Sequence, residues 1–244
     1  MNTGTLLLMK TSDRNAFCRG FKHAFPVFIS YFMVSLAIGI NASDAGFSPV
    51  QAAVLSLLNL TSAGQAAGIE IIKQHGTYAE IILSQVAINL RYLLMAAALT
   101  IKLSPDEGIF RRLLMSLGIT DENFALTAMQ KNPVSPLYTF GCYCISMPGW
   151  VIGTYIGATA GNIFPPRITL ALSIALYAMF CAIILTPAKS NPVLLVLVLV
   201  SMLFSWIFTR FIVSVSFGMR VIILTVVLAG AAAWLFPVKE EENA

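Results

Sequence analysis

The chain reads as a succession of long apolar blocks separated by short polar ones. Seven blocks approach the roughly 20 residues that a helix needs to cross a bilayer: Lys22–Ile40, Pro49–Ile72, Tyr78–Ile101, Tyr138–Ala160, Ile168–Thr186, Pro192–Phe208 and Val215–Phe236. Within them apolar residues are continuous, not alternating, which predicts helices and not the strands of a membrane barrel. An eighth segment, Phe110–Gln130, is ambiguous because it carries Arg111, Arg112, Asp121 and Glu122. It fits an interfacial amphipathic segment, a re-entrant one or a span wrapped by its neighbours. The expected fold is an all-α polytopic membrane bundle of seven or eight transmembrane helices. One integral membrane domain covers 1–244, with 1–21 a cytoplasmic N-terminal segment, 22–236 the bundle and 237–244 a polar tail.

Composition points the same way. Of 244 residues, 58% are hydrophobic and 11% charged, and the mean hydropathy is +0.83. A soluble domain normally carries about 25% charged residues. The net charge of +4 is spread over loops and the N-terminus. It reads as membrane topology and excludes a nucleic-acid patch. Lys10, Arg14, Arg19 and Lys22 precede the first block and predict a cytoplasmic N-terminus. No small-residue cleavage site follows, so no processing is expected. Beyond Ile101 the basic residues do not choose a topology. Arg167, Arg210 and Arg220 fall inside if Phe110–Gln130 does not cross, and Lys131, Lys189 and Lys239 if it does. Cys18, Cys142, Cys144 and Cys181 have no CxxC or metal-ligand spacing and read as small hydrophobes. Ala37–Leu58 faintly resembles Tyr155–Leu176: a glycine near a helix end, a polar turn, proline, then the next apolar run. This is either a common hairpin pattern or a duplication giving two related three-helix halves.

Polar residues inside the blocks carry the candidate chemistry. In the second block Asn59, Thr61, Ser62, Gly64, Gln65 and Gly68 crowd the middle. Gly64 and Gly68 form a GxxxG pair suited to close helix packing. Alternatively the helix is broken, and its freed N–H groups and positive end face an anion such as an amino-acid carboxylate. Arg91 lies near the centre of the third block, where a guanidinium costs at least about 2.5 kcal/mol. At about 100° per residue, Gln85, Asn89 and Tyr92 share one face and Ser84, Ala87, Arg91 and Ala98 another. A helix polar on two sides is expected to be enclosed by protein. Arg91 then holds carbonyl groups of a broken neighbour, pairs with an acid or binds a substrate carboxylate. Asp121 and Glu122 follow Thr120 in a helix-capping arrangement. They are also candidates for pairing with Arg91 or for titrating with a proton. Pro26, Gly68 and Pro148 are candidate hinges, and Ser30, Tyr31 and Ser35 lie where the first span can line a cavity.

These residues resemble the azaleucine-resistance (AzlC/YgaZ) family of bacterial inner-membrane proteins. The matching elements are a G–x5–P opening from Gly20 to Pro26, "GFSP" at Gly46–Pro49, and the polar stretch with Gln65. "NLRY" at Asn89–Tyr92, "GITDENFAL" at Gly118–Leu126 and "PGWVIGTYIGA" at Pro148–Ala158 follow in order. The last three blocks match in hydropathy only. In "TSAGQAA" Gln65 is kept, small residues around Ser62 and Gly64 are exchanged, and Ala66 replaces an aromatic, which reshapes the pocket. The resemblance implies export of branched-chain or similar neutral amino acids and a small, separately encoded membrane partner of the AzlD type.

On this reading a substrate carboxylate meets Arg91 or the groups around Ser62–Gln65, with Asn89 and Thr61 alongside. Asp121 or Glu122 then binds the ammonium group or carries a coupling proton. No GxxxxGK[ST] is present, so the chain implies no ATPase activity of its own, and no cofactor or metal is expected. HExxH and GxSxG are absent, and His23 and His75 lie at block edges, so an enzyme is not expected. A non-transporting scaffold that stabilises a partner is the alternative.

Overall fold

In a computed structural model that describes residues 3–131, 133–160, 165–189, 191–212 and 215–236, the described regular structure is entirely helical. α1 (Thr3–His23) runs into α2 (Phe25–Asp44). Across the joint the Ala24 N–H donates to Gly20 O at 3.0 Å and the Phe28 N–H to Ala24 O at 3.0 Å. Pro26 sits in the first turn of α2, where a missing N–H costs nothing. The N-terminal segment that precedes the first apolar run is thus itself a helix, and α1 packs on α8.

The second run is two helices, α3 (Pro49–Leu58) and α4 (Ser62–Lys73). The interruption falls at Asn59–Thr61, and Gly68 lies inside α4. Each half has its own cap: Ser48 and Gln51 form a capping box, and the Thr61 hydroxyl accepts from the Gly64 N–H. α5 (Tyr78–Ile101) matches the third run residue for residue. Phe110–Gln130 is again two short helices, α6 (Ile109–Leu117) and α7 (Asp121–Ala128), interrupted at Gly118–Thr120 with Thr120 capping α7. α8 (Pro136–Ala160), α9 (Pro166–Ala188), α10 (Pro192–Phe211) and α11 (Phe217–Leu235) complete the bundle. Pro148 stands inside a continuous α8. Among the described residues α2, α5, α10 and α11 are long and apolar enough to cross a membrane. The tail 237–244, with Lys239, lies outside the described residues, as do 161–164, which carry the turn of the second repeat copy.

The core is built on α2 against α8, running parallel. Gly20 lies beside Tyr138, Gly149 beside Phe28, and Gly157 beside Leu36. A Cβ on Gly39 would meet Thr154 O at 2.1 Å, and one on Gly157 would meet Leu36 O at 2.1 Å. Only glycine permits that approach. Tyr31, Ile38, Ile69 and Trp150 fill the adjoining core.

Contacts between helix ends show how the interrupted runs travel. Val134, just before α8, donates its N–H to Lys102 O at 2.9 Å, and Lys102 Nζ donates to Ala128 O at 2.5 Å. The end of α5, the end of α7 and the start of α8 therefore share one end of the bundle, beside α1. Deeper along α8, Asn123 meets Ser146, Gln65 meets Trp150, and Ser56 meets Thr154. α5 therefore runs opposite to α8 and begins at the far end, where α2 also finishes. α3–α4 starts and finishes at that far end, and α6–α7 starts and finishes at the α1 end. Both topologies weighed from the sequence took the second run from end to end, whereas here it returns to its starting end; Lys131 and Lys189 share the α1 end, as in the second of the two.

Candidate functional site

The two interruptions meet in the middle of the bundle. Leu60 and Ser62 from one, and Thr120, Asp121 and Glu122 from the other, line a single small cavity with Tyr31, Tyr92 and Trp150. Its volume is about 10 Å³, room for one water. Leu60 and Tyr92 also border a wider cavity of about 440 Å³, whose walls include Leu57, Asn59, Thr61, Asn89, Leu117 and Ile119. The two residues thus stand between the spaces.

Arg91 Nη2 lies 3.0 Å from Asp121 Oδ2 and donates to the Tyr92 hydroxyl at 3.3 Å. Its guanidinium carbon is 5.0 Å from the Tyr92 ring centroid, a cation–π contact. Nε is buried without a hydrogen-bond partner, so one edge of the fork remains uncommitted. The acid-pairing role is the one of the three expected for Arg91 that the geometry contains. Glu122, the next residue, turns the other way. Tyr31 reaches its Oε2 at 2.5 Å and Thr120 Oγ1 at 2.8 Å. A tyrosine hydroxyl has one proton, so it donates to one of these oxygens and accepts from the other.

The remaining sequence candidates separate into two groups. Ser62, Thr61 and Asn89 line the cavities. Asn89 Nδ2 donates to Gln85 Oε1 at 3.1 Å, and Gln85 Nε2 donates to Gly64 O at 2.8 Å, tying α5 to the first turn of α4. Asn89 Oδ1 is buried and unpartnered. Gln65 belongs to the second group. It is 1% exposed, donates to Ser56 Oγ at 2.7 Å and accepts from Trp150 Nε1 at 2.8 Å. Ser56 in turn donates to Thr154 Oγ1 at 2.7 Å. This chain locks α3 and α4 to α8. Trp150 had no signal in the sequence beyond lying in a glycine-rich stretch.

The expectation of a protein-enclosed α5 is corrected. Val86, Leu90 and Leu93 are more than half exposed, because they form a third, apolar face beside the two polar ones. Among the described residues no group of His, Cys, Asp and Glu is arranged to hold a metal ion.

Fold and site together define a polytopic helical membrane protein with a charged centre. The chain belongs to the AzlC family: the AzlC protein pattern matches residues 26–164, which include every residue lining the small cavity. It is 28% identical over 176 residues to the inner membrane protein YgaZ of Escherichia coli K12, covering 69% of this chain and 72% of that protein. It is 29% identical over 182 residues to an uncharacterized membrane protein of Archaeoglobus fulgidus, covering 72% and 78%. A membrane protein of Helicobacter pylori is 21% identical over 182 residues, covering 72% of this chain and 78% of that protein. No solved structure matches the chain.

Proposed function

We propose that the protein is a permease subunit that exports branched-chain or similar neutral amino acids across a bacterial inner membrane. Transport is of the secondary type and works with a small AzlD-like membrane partner. The observation that carries this reading is the Arg91–Asp121 pair, 3.0 Å long, where the two interrupted runs meet. A zwitterionic amino acid offers the complementary pair of charges: its carboxylate takes Arg91 and its ammonium takes Asp121. Leu57, Leu60, Leu117 and Ile119 in the wider cavity suit an aliphatic side chain. Asp121 lines the small cavity and Arg91 reaches it from beside that cavity, so a bound zwitterion would take the place of the Arg91–Asp121 contact.

Two re-entrant elements, α3–α4 and α6–α7, then approach the membrane centre from opposite faces, and α2, α5 and α8–α11 cross. The bundle end that carries α1 is cytoplasmic. Arg14, Arg19, Lys22, Lys102, Arg111, Arg112, Lys131 and Lys189 fall at that end, against Lys73, Arg167, Arg210 and Arg220 at the other. The chemistry is transport and not catalysis, and neither cofactor nor ATPase enters it. The second reading is a scaffold that stabilises its partner. It draws on the exposed apolar faces of α10 and α11 but assigns no role to Arg91.

The test is efflux of labelled leucine, valine and methionine from cells with and without the chain, with a small partner co-expressed. Efflux that depends on the chain and falls at least tenfold in Arg91→Ala supports the permease. No efflux of any of the three moves the protein to the scaffold reading.

A further inference from the structure

We propose that the two neighbouring carboxylates divide their work: Asp121 is the ionised partner of Arg91, and Glu122 is the proton-carrying group of the site. Two carboxyl groups, Asp121 and Glu122, line the small cavity at the centre of the fold, and one cation, Arg91, reaches Asp121 from beside it. Asp121 takes the cation at 3.0 Å, while Glu122 faces the neutral hydroxyl of Tyr31. Among the described residues no Lys, Arg or His forms an ion pair with Glu122. A carboxylate away from water and without a cation neutralises itself by binding a proton. The first turn of α7 offers its partial positive charge to both acids, which offsets only part of that drive.

Every element packed around Glu122 is accounted for. α2 presents Tyr31, α5 presents Tyr92 and α7 presents Asp121, while Arg91 of α5 acts on Glu122 from outside the cavity; α4 and α8 present the uncharged Ser62 and Trp150. The hydrogen bonds around Glu122 then form a chain that reverses without moving a heavy atom. With Glu122 protonated, its O–H donates to Tyr31, and Tyr31 donates to Thr120 Oγ1. When the proton passes to water from the wider cavity, the ionised carboxylate accepts from Tyr31, and the Thr120 hydroxyl turns to donate to Tyr31. Thr120 keeps a lone pair for the Asn123 N–H, 3.4 Å away, in both states, so the α7 cap survives. Proton exchange therefore leaves the Arg91–Asp121 pair and the fold of α7 in place. On the permease reading, this is the proton that couples transport to a pH gradient.

The assignment is tested by infrared spectroscopy of the full-length protein in lipid nanodiscs at neutral pH. A deuterium-sensitive stretching band of a protonated carboxyl is expected in the wild type and is lost in Glu122→Gln, which preserves the Arg91–Asp121 pair. Tyr31→Phe keeps the band but shifts it to higher frequency, because the carboxyl loses its hydrogen-bond partner. No band in the wild type, a band that survives in Glu122→Gln, or an unshifted band in Tyr31→Phe overturns the assignment. In proteoliposomes, Glu122→Gln is expected to lose amino-acid accumulation driven by a pH gradient. Undiminished gradient-driven accumulation overturns the coupling role. If the wild type moves no amino acid while the band behaves as expected, the permease reading fails and the protonation of Glu122 stands.

Discussion

Asp121 meets Arg91 at 3.0 Å from the tip of a short helix that turns back to the bundle end it came from. Two elements that never neighbour each other in sequence are thereby pinned at the middle of the fold. Breaking such a pair by removing one partner leaves an unpaired charge at the centre of the fold, which is destabilising. Arg91→Ala and Asp121→Asn are therefore each expected to lower the melting temperature in detergent. The double variant, with no charge left over, is expected to regain much of it while efflux stays lost. A double variant that exports normally would mean that the pair is only structural.

Gln65 gives the contrasting case. Its amide is spent on Ser56 and Trp150, inside the protein. Gln65→Leu leaves Trp150 Nε1 buried without a partner, worth about 1–3 kcal/mol, and removes one of the two hydrogen bonds of Ser56, which keeps Thr154. Stability is expected to fall, with the KM for efflux of leucine unchanged in the fraction that folds. A raised KM at wild-type stability would instead return Gln65 to the substrate site that the sequence suggested for it.

Much of this arrangement was legible beforehand, for reasons that differ by residue. The boundaries of α5 followed from its apolar run, and the fold adds a Thr77–Glu80 capping box at its start. The interruption of the second run followed from Asn59 to Ser62 breaking the apolar pattern, although the candidate hinge at Gly68 lies eight residues or so too late, because a glycine inside a packed helix is tolerated beside Gln85. Arg91 stood out by cost alone. Asp121 stood among its candidate partners, but the choice between Asp121, Glu122 and the groups around Ser62–Gln65 depends on how deep α6–α7 reaches, which hydropathy does not encode. Return of α3–α4 to its starting end was likewise invisible, because an apolar run long enough to cross does not record whether it turns at its middle.

The contact of α2 with α8 makes a sharp prediction about glycines. Gly157→Ala places a methyl 2.1 Å from Leu36 O, backbone that cannot give way without parting the two helices. A loss of about 1–3 kcal/mol or more is expected, read as a lower melting temperature and lower yield. Gly230→Ala, on α11 with nothing within 4 Å, is expected to be neutral or stabilising by up to about 1 kcal/mol. Equal effects at the two positions would contradict the close parallel packing.

The return of both interrupted runs is open to a direct test of sidedness. After Cys18, Cys142, Cys144 and Cys181 are replaced, single cysteines are introduced at Asp44, Gln74, Ser104 and Lys131. Asp44 and Gln74 bracket α3–α4, while Ser104 and Lys131 bracket α6–α7. Re-entry puts Asp44 and Gln74 on one face and Ser104 and Lys131 on the opposite one. With the α1 end cytoplasmic, a membrane-impermeant maleimide added to intact cells is expected to label the first two, and to reach the last two only after permeabilisation. A crossing second run puts Gln74 on the face opposite Asp44, so protection of Gln74 in intact cells that label at Asp44 would overturn the arrangement. The outcome also bears on Arg91. If α3–α4 crossed instead, α5 would run the other way, and Lys102 could not reach Ala128 while Arg91 reaches Asp121. The same hairpin geometry therefore sets both the sidedness of Gln74 and the ion pair at the centre of the fold.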